Sequence, residues 1–165
     1  MRPPFRPPDA ADIAAVSRQL GRPARGVVGI AARCVCGAPA VVATAPRLAG
    51  GAPFPTFYYL CHPAAVAAVS RLEAEHVMAE LAGLVAADAG VRDSYRAAHR
   101  AYLADRESFA VVPEIAGVSA GGMPDRVKCL HALVAHSLAA GPGVNPVGDR
   151  ALARCGWSPA VCACR

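Results

Sequence analysis

The sequence contains no apolar run approaching the roughly 18 residues that a membrane-spanning helix needs. Residues 1–8 are basic and proline-rich, but no apolar segment follows them, so we do not expect a signal peptide. Both absences predict a cytoplasmic protein without membrane contact. In that compartment the seven cysteines are expected to be thiols or metal ligands before disulfides.

The chain also lacks a strong excess of charge. A formal net charge of +5 permits an anionic small molecule or a protein as a partner, but it does not indicate nucleic acid. The G-x-x-x-x-G-K-[ST] phosphate loop is absent as well. A length of 165 residues is enough for one domain with a single core.

Hydrophobic periodicity predicts an α+β fold, in which a small three-stranded antiparallel sheet packs with about four to five helices. The three strands are short, which favours antiparallel pairing in chain order. A change of phase near Glu75 and His76 predicts a break in the long helical region after the sheet. The predicted strands are residues 27–32, 40–44 and 56–60, and the predicted helices include residues 9–20, 63–88 and 91–107.

The domain boundaries follow from composition. Residues 1–8 are predicted to be disordered because they are rich in proline. Residues 9–152 form the single predicted domain. Residues 153–165 contain three cysteines and little periodicity, so they are predicted to be a disordered tail with free thiols.

Residues 119–149 are the stretch around which we expect the fold to be organised. They read as a glycine-rich loop, a helix of about four turns and a second loop rich in glycine and proline. Pro124 suits the first turn of a helix, and Gly141 followed by Pro142 is a stop signal. Backbone N–H groups at such a helix start favour anions. The predicted anion-binding residues are Ser119, Gly121, Gly122, Arg126 and Lys128.

The cysteine pattern predicts a metal site. An antiparallel meander would bring the end of the third strand, at Cys61 and His62, beside the turn that holds Cys34 and Cys36. Two thiolates from one turn and a ligand from a neighbouring strand end are a common basis for tetrahedral zinc. The alternative is that these are buried free cysteines that act as small hydrophobes.

The fourth ligand is expected from the central helix. Cys129 and His131 would point about 160° apart on an ideal helix, so only one of them could serve the ion. Cys129 would complete a mainly thiolate set. The predicted zinc ligands are therefore Cys34, Cys36, His62 and Cys129, with Cys61 and His131 as alternates.

Several motifs together resemble a known family. They are Gly21-Arg-Pro-Ala-Arg-Gly26, Arg33-Cys-Val-Cys-Gly37, Pro53-Phe-Pro-Thr-Phe-Tyr-Tyr-Leu60, Ser70-Arg-Leu-Glu-Ala74 and the block from Ser119 to His131. Over roughly residues 12–152 the chain is similar to the bacterial, mainly actinobacterial, domain-of-unknown-function family 501. The resemblance implies a cytoplasmic protein. Cysteine often precedes Pro63 in the family pattern where this chain has His62, which keeps zinc compatible and disfavours a four-cysteine iron–sulfur cluster.

Three functions follow from these features. The first is a zinc-binding protein with an anion- or phosphate-binding loop at the start of the central helix. The second is a metal-dependent hydrolase or transferase that acts on a phosphorylated or acidic substrate. The third is a thiol redox or iron–sulfur protein. Four protein ligands around the ion favour the first function, and an open coordination position favours the second. No catalytic residue is assigned.

Overall fold

Three short strands pair antiparallel in chain order, as the sequence predicts. Within residues 2–162 and 164, which the computed structural model describes, six α-helices accompany this sheet, and the α+β prediction is confirmed. The strands are β1 (Val27–Arg33), β2 (Pro39–Thr44) and β3 (Tyr58–Leu60). The helices are α1 (Ala10–Leu20), α2 (Pro63–Ala74), α3 (Val77–Ala87), α4 (Ala89–Phe109), α5 (Leu130–Ala140) and α6 (Pro146–Arg154).

Local signals explain most helix ends. The side chain of Asp9 accepts the N–H of Asp12 and caps α1, and Gly21 ends that helix in the left-handed conformation. The predicted break after α2 is confirmed at His76, whose φ of 62° is left-handed. A non-glycine residue in that conformation interrupts the helix and separates α2 from α3.

Helix α5 lies in the centre of the core. Its residues Leu130, Leu133 and Val134 have no exposed surface, and the helix packs against β3 and α6. On α4, the inward-facing Tyr102 is fully buried, and its hydroxyl oxygen accepts the N–H of Phe57 at 2.6 Å. The sheet and the long helix are thereby joined through a buried polar contact.

The predicted start of the central helix at Pro124 is wrong. Helix α5 begins only at Leu130, and the preceding residues form turns. Gly121 and Gly122 have φ values of +68° and +93°, so the chain reverses there rather than entering a helix. The reversal is closed by Lys128 N–H donating to Gly121 O at 2.8 Å.

Both terminal segments that we predicted to be disordered contact the domain. Phe5 packs against the backbone of Gly29, where a Cβ would collide with its ring, and against the ring of Phe57. At the other end, α6 extends to Arg154 and Trp157 is buried in the core. Met1, Ala163 and Arg165, which belong to the same predicted segments, lie outside the described residues.

Candidate metal centre

The turn between β1 and β2 positions the first two cysteines. Cys34 N–H donates to Ala38 O, and Gly37 N–H donates to Cys34 O, each at 2.8 Å. Gly37 has a φ of +90°, which a residue with a side chain rarely adopts. The tight turn leaves Cys34 buried and Cys36 exposed on the surface.

The C-terminal tail contributes two further cysteines. After α6 the chain buries Trp157 and then passes along the β1–β2 turn, where Val35 N–H donates to Pro159 O at 2.7 Å. This backbone contact brings Cys162 and Cys164 to the turn.

Four sulfur atoms meet at this point. Those of Cys34, Cys36, Cys162 and Cys164 all lie within 4.8 Å of one another, and the pair Cys36–Cys164 is separated by 3.3 Å. Zinc–sulfur bonds of about 2.3 Å in a tetrahedron place sulfurs about 3.8 Å apart. The group therefore has the size and the donor chemistry for one metal ion bound by four cysteines.

The predicted ligand His62 lies beside this group. Its Nε2 atom is 2.9 Å from the sulfur of Cys164, and its ring packs 5.1 Å from that of Trp157. His62 is buried, and its Nδ1 atom has no hydrogen-bond partner among the described residues. Burial lowers the pKa of His62, which favours the neutral form of the ring.

The thiols influence one another electrostatically. The Ala38 N–H and the thiols of Cys164 and Cys162 hydrogen-bond the sulfur of Cys36 and lower its pKa to about 7. The pKa of Cys164 rises to about 12, first through desolvation and then through its hydrogen bond to the Cys36 sulfur. Close thiols resist losing all their protons together, because the resulting charges repel. A bound cation would remove that resistance.

The remaining predicted ligands lie elsewhere. Cys61 is buried in a cluster with Val16 of α1 and with Ile30 and Val42 of the sheet, and burial raises its pKa to about 12. Cys129 is likewise separate from the four-cysteine group. Its sulfur belongs to a second group of potential donors.

That second group consists of Glu73, Cys129 and His131, whose donor atoms lie within 4.8 Å of one another. Glu73, near the end of α2, accepts the N–H of Leu130 at 2.8 Å through Oε1. The same oxygen is 3.1 Å from Nδ1 of His131. The three residues therefore join the end of α2 to the beginning of α5.

The prediction that Cys129 and His131 must point apart is wrong. It assumed that both residues are helical, but Cys129 is the N-cap of α5 and has φ −150° and ψ 106°. An extended residue does not follow the angular spacing of a helix. The two side chains consequently approach each other.

The contact between Cys129 and His131 changes the pKa of both side chains. The hydrogen bond from His131 lowers the pKa of the Cys129 thiol. The hydrogen bond to Cys129 raises the pKa of His131 to about 8, and the charge of Glu73 acts in the same direction. The pair favours a thiolate beside a positively charged group.

A cavity of about 700 Å³ adjoins the second group. Cys129 and His131 form part of its wall, and β3 contributes Tyr59 and Leu60. The four-cysteine group also adjoins a cavity, of about 540 Å³, which His62 and Cys164 help to line. The two groups differ in their donors, because the second offers three potential ligands where a tetrahedral ion takes four.

The residues of the predicted anion site are not arranged around a helix start. Ser119 is buried and its hydroxyl contacts Nδ1 of His99 at 2.8 Å. The first N–H of α5, that of Leu130, is donated to Glu73. Arg126 and Lys128 are exposed. The structure does not test anion binding by Ser119, Gly121, Gly122, Arg126 and Lys128, but the helix terminus on which we based that prediction does not exist at Pro124.

Three residues of the two groups were missed from sequence. Cys162 and Cys164 repeat the C-x-C spacing of Cys34 and Cys36, and that repetition was the available signal. Glu73 occurs in the Ser70–Ala74 motif, but nothing in the sequence pairs it with His131. Only the packing of α2 against α5 does so.

Among residues 2–162 and 164, no helix is both long and apolar enough to cross a membrane. In comparisons with known proteins, no curated protein and no solved structure matches the chain. A family whose description is "Protein of unknown function (DUF501)" matches residues 30–153, which include Cys34, Cys36 and the whole second group but not the tail cysteines. The chain therefore belongs to this family, as the sequence motifs predicted.

Proposed function

We propose that the chain is a zinc-binding protein in which a closed four-cysteine site joins the C-terminal tail to the β1–β2 turn. The observation that carries this proposal is the convergence of four sulfurs, from Cys34, Cys36, Cys162 and Cys164, within 4.8 Å. Two of these residues come from the first strand pair and two from the end of the chain. A metal would cross-link segments that are far apart in sequence.

The donor set fits zinc. Tetrahedral coordination by four thiolates is characteristic of structural zinc and of iron–sulfur centres. Zinc with four thiolates carries an excess negative charge, which a neighbouring N–H donor can offset. His62 supplies such a donor 2.9 Å from the Cys164 sulfur. We therefore assign His62 to the outer shell, where a hydrogen bond would orient and stabilise the metal-bound thiolate.

A closed site supplies stability. Because zinc bound by the folded chain is absent from the unfolded chain, its binding free energy adds to the free energy of unfolding. The tail makes few other contacts beyond Trp157 and Pro159 in the described part of the chain. The ion would therefore hold the tail and its neighbouring surface in place for a protein or an anionic small molecule to recognise.

The iron–sulfur alternative uses the same donors, and it differs by its visible absorbance. The hydrolase or transferase alternative needs an open coordination position, which four cysteine ligands do not leave. The four-cysteine site consequently favours a binding role over a catalytic one.

Metal content tests the proposal directly. The full chain should be purified without added metal and its zinc measured by elemental analysis. We expect the variant Cys162→Ser/Cys164→Ser to contain about one zinc ion fewer than the natural chain and to unfold at a lower temperature. The variant should otherwise retain its secondary structure, because the sheet and helices do not include these residues.

Cys155→Ser provides the matched control. Cys155 is a buried cysteine in the same tail, and its sulfur donates to Leu152 O at 3.2 Å, a bond that a serine hydroxyl can also make. This control should keep the full zinc content. Equal zinc in the tail double variant and the natural chain would contradict the proposal, and iron with visible colour would favour the cluster.

A further inference from the structure

The group formed by Glu73, Cys129 and His131 has an unusual balance of donors and acceptors. Oε1 of Glu73 lies 3.1 Å from Nδ1 of His131, and the sulfur of Cys129 lies within 4.8 Å of both donor groups. Three potential ligands of different types therefore face one small volume. Two of them, the carboxylate and the thiolate, are anions when ionised.

Contacts on the opposite edge of the His131 ring indicate which of its two nitrogens carries hydrogen. Nε2 lies 3.3 Å from Val66 O, which can only accept a hydrogen bond, and 3.1 Å from the hydroxyl oxygen of Ser70. The Val66 carbonyl therefore favours a ring with hydrogen on Nε2. With hydrogen on Nε2 alone, the lone pair of Nδ1 lies on the side of Glu73, so a metal ion can join the two atoms in place of the proton that they otherwise share.

This arrangement is that of a histidine metal ligand. A ligating histidine commonly donates its other ring N–H to a carbonyl oxygen, which fixes the ring orientation. Here Val66 O can fill that role, and Nδ1 is the ring nitrogen on the side of Glu73. Glu73 is similarly oriented by the N–H of Leu130 at 2.8 Å. Outer contacts thus hold two of the three donors in place.

The cavity provides the space for a fourth ligand. It has a volume of about 700 Å³, and Cys129 and His131 line it. Much of the remaining wall is apolar, with contributions from Leu20, Tyr59 and Val66. A metal ion with three protein ligands and an accessible fourth position is typical of catalytic zinc sites.

We propose that Glu73, Cys129 and His131 bind a second zinc-class metal ion whose fourth position faces the cavity. Thiolate and carboxylate would neutralise a divalent ion, so the fourth ligand can be water or an oxygen of an organic molecule. The apolar wall selects a ligand that carries a carboxylate, hydroxamate or carbonyl oxygen on an apolar body. This site is independent of the four-cysteine site, because the two groups share no residue.

Metal stoichiometry separates the two sites. In the full chain loaded with zinc and then desalted, we expect about two ions per chain. Cys129→Ser and Glu73→Gln should each remove one ion, and the amide of Glu73→Gln would keep an oxygen that can accept the Leu130 N–H. Cys162→Ser/Cys164→Ser should remove the other ion only. Cys61→Ala changes a cysteine in the same cavity wall that belongs to neither group, and it should leave both ions bound.

Cobalt tests whether the second ion has an open position. The natural chain and Cys129→Ser are loaded with Co²⁺, and each is titrated with acetohydroxamate as the oxygen-donor probe. We expect the d–d absorption of the natural chain to change on titration. The spectrum of Cys129→Ser should not respond, because the remaining four-cysteine site is closed.

Two results would overturn this proposal. One is a metal content that Cys129→Ser and Glu73→Gln leave unchanged. The other is that, in the zinc-loaded natural chain, Glu73, Cys129 and His131 hold no ion and Cys129 reacts readily with iodoacetamide. A proton rather than a metal ion would then lie between the three residues. Neither result would affect the four-cysteine site, whose ion depends on Cys162 and Cys164.

Discussion

The sulfur of Cys36 lies 3.3 Å from the sulfur of Cys164, although 128 positions separate the two residues. This contact holds Cys164 against the β1–β2 turn. Trp157 lies between α6 and Cys162, is buried, and packs against the ring of His62. It is the one tryptophan in the sequence, so its fluorescence reports on this region.

Removal of the metal should therefore change the emission of Trp157. We expect a strong chelator to shift the emission to longer wavelength, because release of the tail exposes the indole to water. Cys162→Ser/Cys164→Ser should show the shifted spectrum before any chelator is added. Cys155→Ser, measured in parallel, should respond like the natural chain. An emission maximum that is identical with and without metal would show that the tail is held by packing alone.

The buried imidazole of His136 predicts a loss of stability in acid. His136 is fully buried against Tyr58 and Tyr102, and its Nδ1 lies 3.1 Å from the amide nitrogen of Asn145. Desolvation lowers its pKa to about 4. The unfolded chain binds a proton near pH 6.5, so between pH 6.5 and 4 it binds more protons than the folded chain. The free energy of unfolding should fall by up to about 3 kcal/mol over that range.

Urea denaturation at several pH values measures this effect. His136→Gln should show a smaller fall in the free energy of unfolding between pH 6.5 and 4 than the natural chain. His76→Asn serves as the control, because His76 is exposed and asparagine tolerates its left-handed backbone. The control should keep the full dependence. Equal slopes for His136→Gln and the natural chain would contradict a buried, neutral His136.

The crossing of α5 and α6 depends on Gly148. A Cβ at this position would collide with Leu133 O and with the hydroxyl oxygen of Ser137. Gly148→Ala should therefore lower the free energy of unfolding by about 2 kcal/mol or more, because one helix must move away from the other. Urea denaturation gives the value.

Gly83→Ala is the control for Gly148→Ala, because it also replaces a glycine within a helix. Gly83 lies in α3, and a Cβ there would meet no atom within 4 Å. Alanine should raise the free energy of unfolding by roughly 0.5–1 kcal/mol through its higher helix propensity. If Gly148→Ala were as well tolerated as Gly83→Ala, the close contact between α5 and α6 would be incorrect.

Inorganic phosphate should have no specific effect on stability. The expected helix start at Pro124 does not exist, and the N–H of Leu130 already binds the Glu73 carboxylate. Exposed Arg126 and Lys128 alone should give weak binding that salt screens. We expect phosphate and chloride at equal ionic strength to shift the melting temperature equally. A phosphate-specific increase that is lost in Arg126→Ala would instead support the anion site.

Local sequence signals determined much of the fold. Capping by Asp9, the periodic burial along α4 and the short β-rich runs each act within a few residues, so they predict elements without knowledge of packing. The meander also brings His62 near the β1–β2 turn, as the sequence indicates. Its Nε2 atom contacts Cys164 there, not a ligand from α5.

The tertiary structure alone decided which donors meet. Apolar periodicity extends through Val127 into a segment that is not helical, and the reversal at Gly121 and Gly122 moves the start of α5 to Leu130. That displacement removes Cys129 from helical geometry and lets it approach His131. Likewise, Trp157 draws the tail to the turn because burial of a large apolar side chain is favourable wherever the core has room. Contacts between distant segments depend on the shape of the whole core, which no local pattern in the sequence encodes.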